Sequence, residues 1–192
     1  HENPDTITDA QALEMFQSAM GCPIEAKVLT HWSWLAGRAL VTEKMQKGRV
    51  FLAGDSTHLF TPTGGMGYNT AIEDAVNLGW KLAAVIQGKA PESILLTYER
   101  ERKPVAIRNT TYACKFADAV GLPTAPDELE EDSEAGQVAR AEAGQYFGIQ
   151  AKREFFIPGV TFGYRYDDSP IIISDGSHPP PDCANTYIPT AS

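Results

Sequence analysis

The residues best suited to chemistry lie between Gly48 and Ala75. A short apolar run, Val50-Phe-Leu-Ala53, stops at Gly54-Asp55, and Thr61-Pro-Thr-Gly-Gly-Met-Gly-Tyr-Asn69 follows shortly after. A carboxylate at the end of a buried strand sits where open α/β sheets bind their ligands, and it accepts hydrogen bonds from sugar-type hydroxyls. A turn or helix cap is the alternative reading of the same Gly-Asp pair. Gly64, Gly65 and Gly67 let the backbone approach a flat ligand closely. A helix starting there aims unpaired N–H groups and partial positive charge into the loop, which suits an anion. The spacing is neither the Gly-Lys-Ser/Thr phosphate loop nor Gly-x-Gly-x-x-Gly.

Positioning this loop takes elements on both sides of it. Val50 to Ala53, apolar without alternation, predicts a strand buried on both faces of a parallel sheet. The helix after the loop should run to about Gln87, with Ile72, Val76, Gly79, Ala83 and Ile86 in one stripe and Ala75, Leu78, Leu82 and Val85 widening it. That pattern predicts burial of its apolar side. Gly88 caps the helix, Glu73 and Asp74 are expected in its first turn and Lys89 just past its end, all agreeing with its dipole. Upstream, Thr8 and Gln11 form a capping box ahead of Leu13, Phe16 and Met20, a stripe that reads as core; Gly21 and Pro23 end that helix. Lys27 to Val41 has strand character. Trp32 and Trp34 then point to one side as an aromatic wall, either a buried sheet face or the lining of an aromatic pocket, and Arg38 follows them.

Downstream, Pro91 opens a second helix that Pro104 should kink or restart; Val105, Tyr112, Phe116 and Val120 carry its core face toward Gly121-Leu-Pro123. Glu99-Arg-Glu-Arg-Lys103 reads as a solvated charged face. The acidic stretch from Pro126 to Glu134 suggests an exposed loop or helix start, and a further helix spans roughly Glu134 to Gly148. From Arg153 onward, Gly, Pro and aromatics suggest short strands, with Ile171-Ile-Ile173 as one of them, and Pro179-Pro-Pro181 as a turn or linker.

Composition narrows the class. A chain of 192 residues, 43% hydrophobic and 21% charged, fits one soluble globular domain or one and a part. A net charge of −9 argues against nucleic acid as a partner. No apolar run is long enough to span a bilayer, and the start is not of the signal-peptide kind. Cys22, Cys114 and Cys183 are odd in number and far apart, which suits reduced thiols in a cytoplasmic protein, and the scattered histidines give no metal spacing. The opening His1-Glu-Asn-Pro, without Met, suggests an internal start within a longer polypeptide.

Gly48-Arg-Val-Phe-Leu-Ala-Gly-Asp-Ser-Thr-His58, Pro62-Thr-Gly-Gly-Met-Gly-Tyr-Asn69 and Asp74-Ala-Val-Asn-Leu-Gly-Trp-Lys-Leu82 together resemble the second flavin-binding motif of class A flavoprotein aromatic monooxygenases. This group includes the para-hydroxybenzoate, phenol and hydroxyphenylpropionate hydroxylases. The likeness extends through Tyr98-Glu-Arg-Glu-Arg-Lys-Pro104, and to Gly163-Tyr-Arg-Tyr-Asp-Asp-Ser-Pro170 and Tyr187-Ile-Pro-Thr-Ala191 in the larger members. It implies FAD as cofactor, NADH or NADPH as transient reductant, and a phenolic aromatic substrate hydroxylated by O2 through a flavin C4a-hydroperoxide. Within that resemblance Gly54 and Asp55 meet the ribityl or sugar hydroxyls, and Pro62 lies near the isoalloxazine. Gly65, Met66, Gly67, Tyr68 and Asn69 turn backbone N–H groups toward its N1–C2=O edge. Trp32, Trp34 and Arg38 are candidates on the substrate side, and His58 reads as packing, or as a support behind the residues that touch the cofactor, rather than as a catalytic base.

The family's Gly-x-Gly-x-x-Gly βαβ unit, most of its substrate domain and its nicotinamide-related motif do not occur in this sequence. The fold class expected is therefore α/β: an incomplete FAD-binding fold, Rossmann-like and of the glutathione-reductase type, with a long buried helix, a helical extension and an irregular β tail. Residues 1–47 would be the remnant of a substrate-binding sheet domain and 48–150 the C-terminal part of the FAD-binding domain. Residues 151–192 would form a β-rich tail leading toward a further domain. Such a fragment is expected to bind FAD weakly or not at all, and not to turn over without a missing N-terminal Rossmann half. No membrane partner is expected, and a homodimer stays open. A halogenase or epoxidase on the same framework, or a non-catalytic module, are the alternatives.

Overall fold

A computed structural model describes residues 7–32, 38–121 and 124–178. The chain divides into two compact units, His1–Ala36 and Gly37–Ser192.

The first unit holds helix α1 (Asp9–Met20). Its start is the capping box: the Gln11 N–H donates to Thr8 Oγ1 at 3.3 Å, and the Thr8 N–H donates back to Gln11 Oε1 at 2.9 Å. Gly21, at φ 69°, ends it in the left-handed conformation that favours glycine. None of α1 is buried, so the stripe read as core, with Phe16 and Met20, faces outward. Residues 27–32 form no strand, and Trp32 is 78% exposed. A strand is stable only against a neighbour that completes its hydrogen bonds, and none of the described residues pairs with this segment. Trp34 lies outside the described residues.

The second unit begins with two minimal antiparallel ladders. Strand β1 (Leu40–Val41) pairs with β4 (His58–Leu59), and β2 (Gln46–Lys47) pairs with β3 (Val50–Phe51) across Gly48, whose φ is 58°. The expected parallel strand over Val50 to Ala53 is thus a two-residue hairpin arm, with Val50 64% exposed. An unbroken apolar run shows that a segment prefers burial on both faces, but not which strands flank it. Among the described residues no parallel neighbour does.

Helices α2 (Met66–Ile86) and α3 (Thr97–Gly121) form the main layer. A 3₁₀ turn at Glu92–Leu96, preceded by Pro91, replaces the expected start of the second helix. Pro104 sits inside α3, which continues through it. The long helix α2 is buried, but by the opposite face from the one expected: Met66, Thr70, Asp74, Asn77 and Lys81 are buried, whereas Ile72, Val76, Trp80 and Ile86 are exposed. The charge cluster of α3 departs from expectation for the same reason. Glu101 and Arg102 lie buried against that polar face instead of in solvent.

Helix α4 (Glu134–Phe155) starts at Ser133, whose Oγ accepts the Gly136 N–H at 3.0 Å, and extends a turn or two beyond the predicted end. Its end is tied to α3 where the Tyr112 hydroxyl donates to the Arg153 carbonyl at 2.7 Å. The β tail is absent from the described residues. Pro158, suited to a first helical position, opens the short helix α5 (Pro158–Thr161), and residues 163–178 are irregular, with Ile173 left exposed and unpaired in any ladder. Among the described residues no helix is long and apolar enough to cross a membrane.

Candidate functional site

The Gly54-Asp55 pair sits in a 3₁₀ turn, Gly54–Ser56, that follows β3. Ser56 Oγ donates to the Ala53 carbonyl at 2.7 Å, and Thr57 Oγ1 donates to the Gly54 carbonyl at 2.8 Å, closing the turn on itself. Gly54 is required twice over. Its φ is 59°, and a Cβ added there would stand 3.1 Å from Ala71 Cβ on α2. Gly54 is buried, yet the next residue, Asp55, is exposed and presents its carboxylate outward.

The glycine loop reaches α2 through Gly64 at φ 84° and Gly65 at φ 60°. Gly65 is the N-cap, and no side chain accepts a hydrogen bond from the first turn of α2. The N–H groups of Met66, Gly67 and Tyr68 therefore carry the donor capacity and partial positive charge of a 21-residue helix into this loop. Met66 turns its side chain into a small core with Ala113 and Val160, leaving only its backbone for the loop. Asn69 is occupied internally, its Nδ2 donating to the Gly65 carbonyl at 2.9 Å, so it shapes the loop. Pro62 and Tyr68 are exposed. The structure thus brings Gly54, Asp55 and Gly65 to Asn69 onto one turn and one helix end, linked where Gly54 packs on Ala71. Of the substrate-side candidates, Trp32 lies in the first unit and Arg38, exposed, opens the described part of the second.

Behind the loop lies a buried polar seam that sequence reasoning did not single out. Asp74 Oδ2 accepts His58 Nε2 at 2.7 Å and the Gly54 N–H at 3.2 Å, and its Oδ1 accepts Arg102 Nε at 2.8 Å. Arg102 also donates to Glu73 Oε2 at 2.8 Å, to the Thr70 carbonyl at 3.3 Å and to the Tyr166 hydroxyl at 3.2 Å, and it lies over the Tyr164 ring. Further along, Glu101 Oε2 accepts Lys81 Nζ at 2.5 Å and Asn77 Nδ2 at 2.7 Å, while its Oε1 accepts Ser169 Oγ at 2.6 Å. Burial alone would raise the Asp74 carboxyl, but hydrogen bonds from His58 and Arg102, the Arg102 charge and the Gly54 N–H hold it below the usual carboxylate range. Glu101 follows the same pattern: burial pushes it up, and Asn77, Lys81 and Ser169 bring it down further. Burial lowers Lys81, against the opposing pull of Glu101. The signal was present in sequence as Thr70, Asp74, Asn77 and Lys81, spaced four, three and four along α2. It competed with a longer apolar stripe on the other face. Among the described residues, two buried side-chain polar atoms have no hydrogen-bond partner, His58 Nδ1 and Thr61 Oγ1.

These residues suit a flavin dinucleotide. The helix-end donors are free of side-chain caps, the glycine loop offers close backbone approach, and an outward carboxylate stands ready for hydroxyls. Asp74 and Arg102 satisfy each other and leave no charge to be met by a ligand. Among the described residues no cluster of His, Cys, Asp and Glu could hold a metal ion.

Residues 1–113 match the family model described as FAD binding domain. The chain is 34% identical over 92% of its length to a 2,4-dichlorophenol 6-monooxygenase of Cupriavidus pinatubonensis, and 33% identical over 94% to a phenol 2-monooxygenase of a Pseudomonas strain. It spans 32% of the length of each of those relatives. Among solved structures, chromopyrrolic acid-soaked RebC matches with TM-score 0.71 and 37% identity, over 84% of this chain and 30% of that one. The flavin-dependent monooxygenase PieE, in complex with FAD and substrate, matches with TM-score 0.69 and 26% identity over 97% of this chain and 35% of that one. With its glycine loop, Gly-Asp turn and long helix in the matched region, the chain belongs to the FAD-binding-domain family of class A flavoprotein aromatic monooxygenases.

Proposed function

We propose that this chain supplies the second half of the FAD cradle, and part of the substrate region, of a monooxygenase that hydroxylates a phenolic aromatic with NAD(P)H and O2. The observation that carries the proposal is the uncapped N-terminus of α2 behind a left-handed glycine pair, beside the outward carboxylate of Asp55. Asp55 accepts hydrogen bonds from cofactor hydroxyls. The N–H groups of Met66, Gly67 and Tyr68 face the electron-rich edge of the ring and favour negative charge there. Pro62 gives the loop an apolar, donor-free surface, and Gly54 holds the turn from which Asp55 projects. The flavin, once reduced by the nicotinamide nucleotide, supplies the oxygen chemistry, and the protein supplies binding, orientation and exclusion of water. Trp32, Trp34 and Arg38 are our candidates for the substrate side.

The proposal includes a covering partner, the rest of the flavin-binding domain in the same polypeptide. Tyr68, Ile72, Val76 and Ile86 form an outward apolar stripe along α2, with Ile86 83% exposed, and a helix exposed on its apolar face is one whose partner is elsewhere. By itself the chain should therefore bind FAD weakly and not turn over; stoichiometric tight binding by the isolated chain would contradict this. The site assignment is tested in the complete polypeptide by Asp55→Ala. Titration of the apoprotein with FAD, followed by flavin fluorescence, should show affinity reduced about tenfold or more, the scale of one lost charge-assisted hydrogen bond at about 1.5–3 kcal/mol. Unchanged affinity would refute the role of Asp55.

A further inference from the structure

The backbone of the Gly54-Asp55 turn is hydrogen-bonded from behind by the side chain of Asp74. Asp74 is fully buried, lies on α2, and accepts three donors on two oxygens: the Gly54 N–H and His58 Nε2 on Oδ2, and Arg102 Nε on Oδ1. An ionised carboxylate only accepts hydrogen bonds, so Nε2 of His58 carries the proton in that contact. The three donors belong to three different elements: the turn, strand β4 and helix α3. The clamped amide belongs to the residue immediately before Asp55. Fixing it fixes the backbone from which the Asp55 carboxylate projects. Asp55 itself is exposed, and its orientation depends on that backbone.

We propose that Asp74 is the positioning residue of the cofactor loop: held by Arg102, it clamps Gly54 and His58 and so sets the direction in which Asp55 meets the flavin. This rests on the flavin reading above and adds a residue that touches neither cofactor nor substrate. Arg102 serves as the anchor of Asp74, itself fixed by Thr70, Glu73 and Tyr166. An amide at position 74 cannot do the same work. Asn has one accepting oxygen and a donating NH2 group, so either the Gly54–His58 side or the Arg102 side meets a donor where it needs an acceptor.

The test uses the complete flavoprotein, stripped of FAD and titrated with it. Asp74→Asn should raise the FAD dissociation constant about tenfold. In the Asp55→Ala background the same substitution should change it less than twofold, because the clamp acts through Asp55. Lys81→Met, equally buried two turns further along α2 and not in contact with the turn, is the control for general destabilisation. It should leave FAD affinity within twofold and leave the Gly54 amide resonance unmoved, whereas Asp74→Asn should shift that resonance. Equal losses from Asp74→Asn and Lys81→Met would overturn the proposal, and so would additive effects of Asp74→Asn and Asp55→Ala. Should Asp74→Asn fail to fold, hydrogen exchange of the Gly54 amide in the unaltered protein decides. Strong protection supports the clamp, and exchange as fast as the Asp55 amide overturns it. Wild-type protein that takes up no FAD refutes the flavin reading and this proposal together, whereas normal uptake with Asp74→Asn unaffected refutes the clamp alone.

Discussion

Replacing Glu101 by Gln should show what the buried seam costs when half of it is removed. The substitution keeps the shape, but it strands Lys81, whose side chain is fully buried and whose Nζ sits 2.5 Å from the Glu101 carboxylate. Breaking a buried pair from one side costs about 3–5 kcal/mol. Lys81 can limit the loss by giving up its proton. From its ordinary value of 10.5, neutralising it at pH 7 costs about 4.8 kcal/mol and at pH 9 about 2 kcal/mol, at about 1.36 kcal/mol per pH unit. In the variant the unfolded chain then binds one more proton than the folded one below the ordinary lysine range, so stability rises with pH. The deficit relative to wild type should shrink between pH 7 and pH 9. Urea unfolding followed by helical circular dichroism measures this: with a slope of about 2 kcal/mol per molar, the midpoint should fall by roughly 2 M at pH 7 and by about half that at pH 9. A wild type less stable than the deficit gives a variant that is unfolded at pH 7 and folds as the pH rises. A deficit under 1 kcal/mol, or one equal at both pH values, would refute the reasoning.

Other consequences are separately checkable. Gly54→Ala forces a Cβ into a left-handed residue 3.1 Å from Ala71 Cβ, so it should cost at least about 1–2 kcal/mol in urea unfolding, while Gly67→Ala, at ordinary contact with Phe60, should be tolerated by the fold. Thr8→Ala removes one half of the capping box and should speed amide hydrogen exchange in the first turn of α1, with a local loss of about 1 kcal/mol. Asp74 and Glu101 both titrate below their unfolded values, so the stability they contribute is complete above about pH 4.5 and is lost as the pH falls through their lowered folded values. A melting-temperature profile should therefore decline on the acid side, with a shallower decline in Asp74→Asn.

The parts of this fold legible in sequence were those that local chemistry determines. The Thr8 capping box, the left-handed Gly21 and Gly88, and the end of the loop helix near Gln87 are legible because backbone geometry and caps are properties of a few neighbouring residues; its start is not, since the helix begins at Met66 and leaves Glu73 and Asp74 beyond its first turn. The family, too, was legible in the Gly54-Asp55 turn and glycine loop, whose residue types are dictated by close approach and φ. What failed was burial. The apolar stripe of α2 reads as the buried face, whereas among the described residues α3 packs against the other face. Glu101 and Arg102 looked like solvated charges because their complements, Lys81 and Asp74, stand 20 and 28 residues away. Strands fared worst. Val50 to Ala53, Trp32 and Ile171 to Ile173 carry strand residues, but a strand is completed by neighbours that its own sequence does not specify.

The polar face between α2 and α3 also acts as a register code. Thr70 meets Asn109, Asp74 meets Arg102, and Lys81 meets Glu101, so the helices run in opposite directions with each charge opposite its counterpart. Sliding one helix by a turn would bring Lys81 toward Arg102 and leave Asp74 against apolar Ala106. An all-apolar seam would tolerate such a slip far more readily, because Leu against Ile differs little from Leu against Val. The two helices can thus find one alignment as a hairpin, with the apolar stripe of α2 still facing out. A partner docking on that stripe would meet a scaffold whose phase is already set.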